Sequence, residues 1–488
     1  MADTSVSTMT VGPGPWLVPR PGSYDAMTAL DAGFLAIEQP HTPMHVGSLS
    51  IFDGAPFHDR DGDFRLDDVR DRVAERLHLL PRFRQRVASA PWGVGRPIWV
   101  DDGRFDVTHH VRLVRLPAPG SRAQLAALCC ELQAECLDRR RSLWELCFVD
   151  GLEDGSVALV ERVHHAMVDG VSGVDVAAAL LDLEPDPPPM DPPPWRPRPA
   201  PHGVQLLTRS QLELWREPAE WAHAWCRTAR HLAGMPGATL QRAFGALDAV
   251  GSAAGRRPHL RVLRGHVGPG RRLDWVTVDL DDVADAGHRH EATVNDVVLA
   301  AVAGAVRSLL VSRGVAPAGR TLHVLVPVST RAVDQRGELG NRVTAILAPV
   351  SLDGATPAER LERVRRSMTT HKRRHQSDGV QSVLGGLELL PHGVMSVLAR
   401  TTVRHQPTID LVVTNVPGPA QPLYFLGAEL RESVPIVPLA GNLTVGIAVL
   451  SYHRQLTIGV FADADHAHDV ERLTRALRTE LSAFATLP

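Results

Sequence analysis

The stretch His164-His165-Ala166-Met167-Val168-Asp169-Gly170 sets two imidazoles at the end of an apolar run and closes with a carboxylate and a glycine. Imidazole, with an ordinary pKa of ~6.5, takes and returns a proton near neutrality. The layout therefore reads as a general base presented to a reacting hydroxyl. The residues before it, Val157 to Val163, are apolar and β-branched, and Gly170 with Ser172-Gly173 breaks that pattern, so the chain reads as strand then turn. Side chains alternate faces along a strand, so His164 and His165 cannot both face one cavity. One is expected to line a channel and the other to brace its wall. The second pair, His109-His110, also lies in an apolar-flanked stretch but has no Asp-Gly at the same offset, and is expected to be structural.

With 488 residues, 44% of them hydrophobic, and a formal charge of −3, the chain is long enough for two or more cores and offers no electrostatic basis for nucleic-acid binding. Lys372 is the single lysine, so the positive charge is almost all arginine, a side chain suited to phosphate and carboxylate. Five cysteines, clustered and odd in number and without CxxC spacing, argue against a disulfide framework or a zinc site. The first twenty residues hold no sustained apolar core, so the expectation is a cytoplasmic protein. The longest apolar-plus-glycine run, Val297 to Val306, falls short of the ~20 residues of a membrane span, so any meeting with lipid would be peripheral.

Residues 1–22 read as an N-terminal arm. Residues 23–184 form the first half and 263–488 the second. Between them, 185–262 begin with a strap in which ten of the seventeen residues Pro185 to Pro201 are proline, followed by linker helices. In that linker Trp221, Trp225 and Leu232 share a helical face flanked by Arg216, Arg227 and Arg230, which suits either a membrane interface or packing on the protein itself. The first half reads as helices at Thr28 to Ile37, Leu66 to Leu79, Ala123 to Leu137 and Val174 to Leu183, with strands at Met44 to Phe52 and Val157 to Val163. In the second, strands fall at Leu273 to Leu280, Leu322 to Val328, Val343 to Val350 and Ile409 to Asn415, with a hairpin of Leu443 to Ser451 and Leu456 to Phe461. Its long helices fall at Val294 to Ser312, Pro357 to Arg374 and His468 to Ala485. The plan is α/β, two sandwiches with a cleft between them.

Several further pieces stand in a fixed order: Leu30-Asp31, Pro43-Met44-His45-Val46-Gly47, Pro81-Arg82-Phe83-Arg84, Leu137-Asp138-Arg139 and Leu143-Trp144-Glu145. After the histidine motif come Ala292-Thr293-Val294-Asn295-Asp296, Val326-Pro327-Val328-Ser329, Leu339-Gly340-Asn341 and Thr414-Asn415-Val416-Pro417-Gly418-Pro419. In these pieces, from about Met27 to Leu481, the chain resembles the bacterial wax ester synthase/diacylglycerol acyltransferase family, of the HHxxxDG acyltransferase superfamily. The resemblance implies two chloramphenicol-acetyltransferase-like (CoA-dependent acyltransferase) domains with a cleft and tunnel between them. Two positions depart from the family pattern: Ser142 stands where proline is common, and Arg264-Gly265-His266 replaces Asn-Gly-Pro.

The resemblance further implies that His165 is the general base, with His164 supporting it. It implies a long-chain acyl-CoA co-substrate with no bound cofactor or metal, and diacylglycerol or a long-chain alcohol as acceptor. Asp169 is expected to fix the loop rather than polarise His165, and Gly170 to let the chain turn without crowding the tunnel. Asn295 is open to two readings, an oxyanion donor or positioning group on one side and part of a helix start on the other; Asp296 fits a capping box and, secondarily, substrate binding. The basic run containing Arg365, Arg366, Lys372 and Arg373 is either a contact for the phosphates of coenzyme A or a solvated helix face. Asn415 to Pro419 is expected to be a structural turn. Two other functions stay open: acyl transfer or condensation on a different or carrier-bound substrate, and a non-catalytic lipid-binding protein. Peripheral contact with the inner membrane face or lipid droplets is the remaining expectation on location.

Overall fold

The computed structural model describes residues 24–91, 95–167, 173–203, 205–206, 260–329, 343–375, 396, 400–401, 403–404, 406–467 and 469–486. The first helix, α1 (Ala29–Ile37), starts at Thr28, whose hydroxyl accepts the Asp31 N–H at 3.1 Å, and ends at Glu38, whose N–H returns to the Phe34 carbonyl. Next come β1 (His45–Phe52), α2 (Leu66–Arg76), the hairpin β2 (Gln85–Ala88) and β3 (Ile98–Asp101), and β4 (Val111–Arg115). α3 (Arg122–Ala134) opens with a reciprocal Ser121/Gln124 capping box. It leads into β5 (Trp144–Asp150), β6 (Val157–His164) and α4 (Gly173–Leu180).

The second half supplies β7 (Arg271–Asp279), α5 (Leu280–Arg289), α6 (Val294–Ser312), β8 (Thr321–Ser329), β9 (Val343–Ser351) and α7 (Pro357–His375). After these come β10 (Leu411–Pro417), β11 (Tyr424–Phe425), β12 (Ala428–Ile436), β13 (Val445–Tyr452), β14 (Gln455–Asp463) and α8 (Val470–Ala485). Its sheet has the order β7-β14-β13-β10-β8-β9, with β10 parallel to both neighbours and every other pair antiparallel.

The first sheet has the order β11-β12-β1-β6-β5-β4. Two of its strands therefore come from the second half: β12 lies antiparallel beside β1, Gly47 opposite Ile436 and Ser50 opposite Ser433. The first half does not close its own sheet, and the sequence expectation had no strand at 428–436 at all. That segment, with Arg431, Glu432 and Pro435, alternates weakly, and its partner lies hundreds of residues upstream.

Each face of the first sheet carries its own core. On one face Phe52, Trp144, Phe148 and Val163 meet Leu35 of α1, Val69 and Val73 of α2 and Val176 of α4. On the other, Leu49, Cys147 and Val160 meet Leu125 and Cys129 of α3 together with Trp275 and Phe461 of the second sheet, so the halves share a core. Arg122 seals the junction, its guanidinium 3.6 Å from the Trp275 ring centre. A third core surrounds α6, whose Val297 to Val306 are all buried. α6 is long and apolar enough to cross a membrane by length and composition, but it is a buried core helix here. Residues 185–201 of the strap run without helix or strand, and Arg198 ties them to Asp101 at 3.1 Å. The tryptophan-bearing linker helices lie outside the described residues.

Candidate active site

Strand β6 ends at His164, and the chain then tightens into a short 3-10 turn, His165–Met167. His164 is buried, and its Nδ1 accepts the Ala166 N–H at 3.0 Å. The ring proton must then sit on Nε2, which faces Glu38 Oε1 at 3.3 Å, short of a well-aligned hydrogen bond. His165 takes the other role. Its backbone N–H donates to the Met44 carbonyl at 2.7 Å, and its ring stacks on Phe34, centroids 3.9 Å apart and planes 17° from parallel.

Burial pushes the His165 pKa down to about 4; a hydrogen bond from the ring to the residue's own carbonyl opposes the shift, and neighbouring His164 adds to it. A neutral imidazole keeps one ring nitrogen unprotonated and able to accept a proton. His165 is accordingly a neutral imidazole at physiological pH, in the protonation state a general base requires.

Glu38 was missed in the sequence. Its side chain is 4% exposed; Oε1 accepts the Met44 N–H at 3.1 Å, and Oε2 accepts two bonds from Arg139 at 3.1 and 2.7 Å. Burial alone would raise its pKa, but His164, the Arg139 guanidinium and the Met44 amide together hold it down to about 2. His45, directly across from His164 in the β1–β6 pair, places Nε2 3.7 Å from the same carboxylate and accepts the Leu137 N–H at 3.4 Å. Burial, with Arg162 and His164, pushes its pKa down to about 3 against the pull of Glu38. Three separated sequence pieces, Pro43 to Gly47, Leu137 to Arg139 and the histidine motif, thus converge on one carboxylate. The signal available in the sequence was an acid at a helix end with no basic residue in that helix's last turn.

His110 is a structural ring, its Nδ1 2.9 Å from the Trp144 carbonyl and its face stacked on the Trp144 indole at 4.5 Å. Trp144 in turn donates from Nε1 to the Phe83 carbonyl at 2.7 Å, which joins two further motif pieces. Asp169 and Gly170 lie outside the described residues. Asp296 forms the expected capping box at the start of α6, its Oδ2 accepting the Thr293 N–H at 2.9 Å. Among the described residues, neither Asn295 nor Asp296 shares a hydrogen bond, ion pair or ring contact with the histidines. Arg365 binds Glu362 at 2.9 Å and Glu291 at 3.5 Å, and Arg366 binds Glu362 as well. Lys372 and Arg373 fall in the last turns of α7, with side chains outside the described set. Gly418 packs flat on the Ser451 carbonyl, where a Cβ would sit at 2.3 Å, in keeping with a structural turn.

Of the two departures, Ser142 is buried and its hydroxyl has no hydrogen-bond partner among the described residues, and Arg264 ion-pairs with Asp410 at 3.2 Å while Gly265 lies against the His466 ring. A cavity of about 930 Å³ lies between the β2–β3 hairpin, His109 and the strap; His164 and His165 do not line it. Among the described residues no group of three His, Cys, Asp or Glu side chains is placed to hold a metal ion.

The wax ester synthase/diacylglycerol acyltransferase catalytic-domain model matches residues 27–298, and the WS/DGAT C-terminal domain matches 339–484. The chain belongs to the wax ester synthase/diacylglycerol acyltransferase family. Its members are acyltransferases, and this chain is one of them. A probable diacylglycerol O-acyltransferase of Mycobacterium tuberculosis is 30% identical over 470 residues, 94% of this chain and 96% of that protein. A second from the same organism is 31% identical over 470 residues, 94% and 98% of the two chains. The wax ester synthase/diacylglycerol acyltransferase from Marinobacter aquaeolei VT8 superposes with a TM-score of 0.67 at 25% identity, covering 95% of this chain and 100% of that one. A trichothecene 15-O-acetyltransferase from Fusarium sporotrichioides shares the fold, with a TM-score of 0.62 at 12% identity over 94% of this chain and 95% of that one. The two-domain α/β architecture expected from the motifs is the one this family has.

Proposed function

We propose that this acyltransferase moves a long-chain acyl group from acyl-CoA to the free hydroxyl of diacylglycerol, with long-chain alcohols as a second acceptor class and His165 as general base. The observation that carries the reading is the placement of His165, in the turn that closes β6 with its ring stacked on Phe34, where burial pushes its pKa down to about 4 and leaves the ring unprotonated near neutrality. Relatives named as diacylglycerol O-acyltransferases over nearly their whole length support the acceptor class.

An imidazole this weakly basic does not deprotonate an aliphatic alcohol beforehand. The unprotonated ring nitrogen takes the proton as the alcohol oxygen attacks the thioester carbonyl, in one concerted event. The new C–O bond forms while the carbonyl π electrons move onto oxygen; their return breaks the C–S bond. The thiolate leaves, and the imidazolium delivers the same proton to sulfur. A thiol titrates near ~8.5, so a thiolate is far more basic than this imidazole and the transfer runs downhill. Nothing is oxidised or reduced. Asp169 and Gly170 are assigned to shaping the turn that follows His165.

The test is release of free coenzyme A thiol from palmitoyl-CoA by wild type and His165→Ala, with diacylglycerol, with hexadecanol and with no acceptor. Release that depends on diacylglycerol and is lost in His165→Ala is the expected result. A folded wild type with no acceptor-dependent release overturns the reading in favour of carrier-bound substrates or a binding role.

A further inference from the structure

Phe34 and Glu38 are four residues apart at the C-terminal end of α1, a spacing that puts two side chains on one side of a helix. Phe34 stacks on His165, while Glu38 reaches His164. From Glu38 a closed circuit of contacts can be traced around the base. Oε1 takes the Met44 N–H, the Met44 carbonyl takes the His165 N–H, the Ala166 N–H goes to His164 Nδ1, and His164 Nε2 comes back to Oε1.

We propose that Glu38 is the positioning residue of this site, acting through His164 and Met44 to fix the turn that presents His165. The inference rests on the acyl-transfer reading and deepens it, since it assigns the group that holds the base rather than the base itself.

The carboxylate is suited to this role by its charge and by having two equivalent acceptor atoms. Its closest partners are donors: the Met44 amide and, at 3.3 Å, the His164 Nε2–H face one oxygen and the Arg139 guanidinium binds the other, while the His45 Nε2 stands off at 3.7 Å. Arg139 also donates to the Leu35 carbonyl at 2.8 Å, so the counter-charge is itself anchored to α1. A glutamine must turn its NH2 toward one of these donor sets and breaks either the histidine side or the arginine side. An aspartate keeps the charge but is one methylene short of spanning both. A carboxylate present only to hold Arg139 in the fold would have no effect on the histidine rings beyond its effect on stability.

Glu38→Gln is expected to lower kcat roughly ten- to a hundred-fold, as removal of a group that orients a working histidine does, with KM for palmitoyl-CoA unchanged. Because Glu38 and His164 belong to one circuit, the double variant Glu38→Gln/His164→Ala is expected to lose less activity than the two single losses combined. Wild-type kcat in folded Glu38→Gln, or losses that simply add, would overturn the proposal. Should Glu38→Gln fail to fold, Glu38→Asp takes its place, with a smaller loss of kcat at constant KM expected and full activity counting against the proposal. A readout independent of substrate is the ring 15N resonances of His164 and His165 in the unliganded protein. Both are expected to move in Glu38→Gln, and unmoved resonances refute the assignment. If they move while wild type shows no acceptor-dependent release, the acyl-transfer reading fails and the positioning role stands.

Discussion

The Phe34 ring lies on the His165 imidazole, centroids 3.9 Å apart and planes 17° from parallel, so helix α1 supplies one wall of the site that β6 carries. The contact keeps water from one face of the base and limits its rotation. Phe34→Ala removes both effects. Burial is what depresses the His165 pKa, so the acid limb of kcat/KM is expected to move to higher pH, with kcat falling by up to roughly a hundred-fold, the cost of misplacing a catalytic group by about 1 Å. Phe34→Leu, which restores bulk, should recover much of the loss. Steady-state kinetics across a pH series reads both.

The pH profile of the wild type is itself diagnostic. The base works unprotonated, and its native pKa is about 4 against an ordinary 6.5. The kcat/KM profile, which reports groups of the free enzyme, is expected to stay flat as pH falls through 6.5 and to decline only as it approaches about 4. A half-point near 6.5 would show His165 to be solvated, contrary to its burial.

Gly47 sits in β1 opposite Arg162 of the neighbouring antiparallel strand β6. A Cβ at this position would lie 2.1 Å from the Glu161 carbonyl oxygen and 2.7 Å from Gln133 Nε2. The obstacle is backbone in a central strand pair, which cannot step aside without breaking the register that sets His45 opposite His164. Gly47→Ala is expected to cost about 3 kcal/mol or more, read as a lower urea midpoint, and to abolish activity in whatever protein folds.

Glu161 lies two residues along the strand from Val163, on the same face of β6. Ser48 Oγ donates to it at 3.1 Å, and the Ser48, Ser50 and Ser433 hydroxyls continue in contact across β1 to β12. Burial pushes its pKa from 4.5 up to about 7, against the lowering effect of Ser48. The native state therefore holds this proton to higher pH than the unfolded chain does. The stabilisation is full below pH 4.5 and is lost as pH rises through about 7, a change of about 3 kcal/mol at most. Glu161→Gln keeps a hydrogen-bonding side chain and removes the titration. Relative to wild type, its unfolding free energy should rise between pH 5 and 8; parallel curves would show the carboxyl to be ionised in the fold.

Much of the fold was legible because it is locally written. Thr28 before α1 and Thr293 with Asp296 before α6 mark helix starts through bonds spanning three residues, and the apolar run of β6 marks a strand by composition alone. The pairing of Arg365 and Arg366 with Glu362 was equally legible, because Glu362 precedes them by three and four residues, the spacing that pairs charges on a helix face. β5 was not recognised, although Leu143-Trp144-Glu145 opens it, because a strand buried on both faces shows no alternation. β12 escaped because pairing with β1 is not a property of the residues near it.

The sequence by itself pointed to separate roles for His164 and His165, although the strand ends at His164 and it is the turn beginning at His165 that parts their rings, and through its ordered motifs it identified the family. Tertiary structure decided what each histidine meets: Phe34 over one, Glu38 beside the other, and Met44 joining them through its backbone. Alternation and capping depend on bonds a few residues long and so can be read in a line of text. The carboxylate circuit joins residues from Glu38 to Ala166, and its electrostatics exist only once burial has removed water from all of them together.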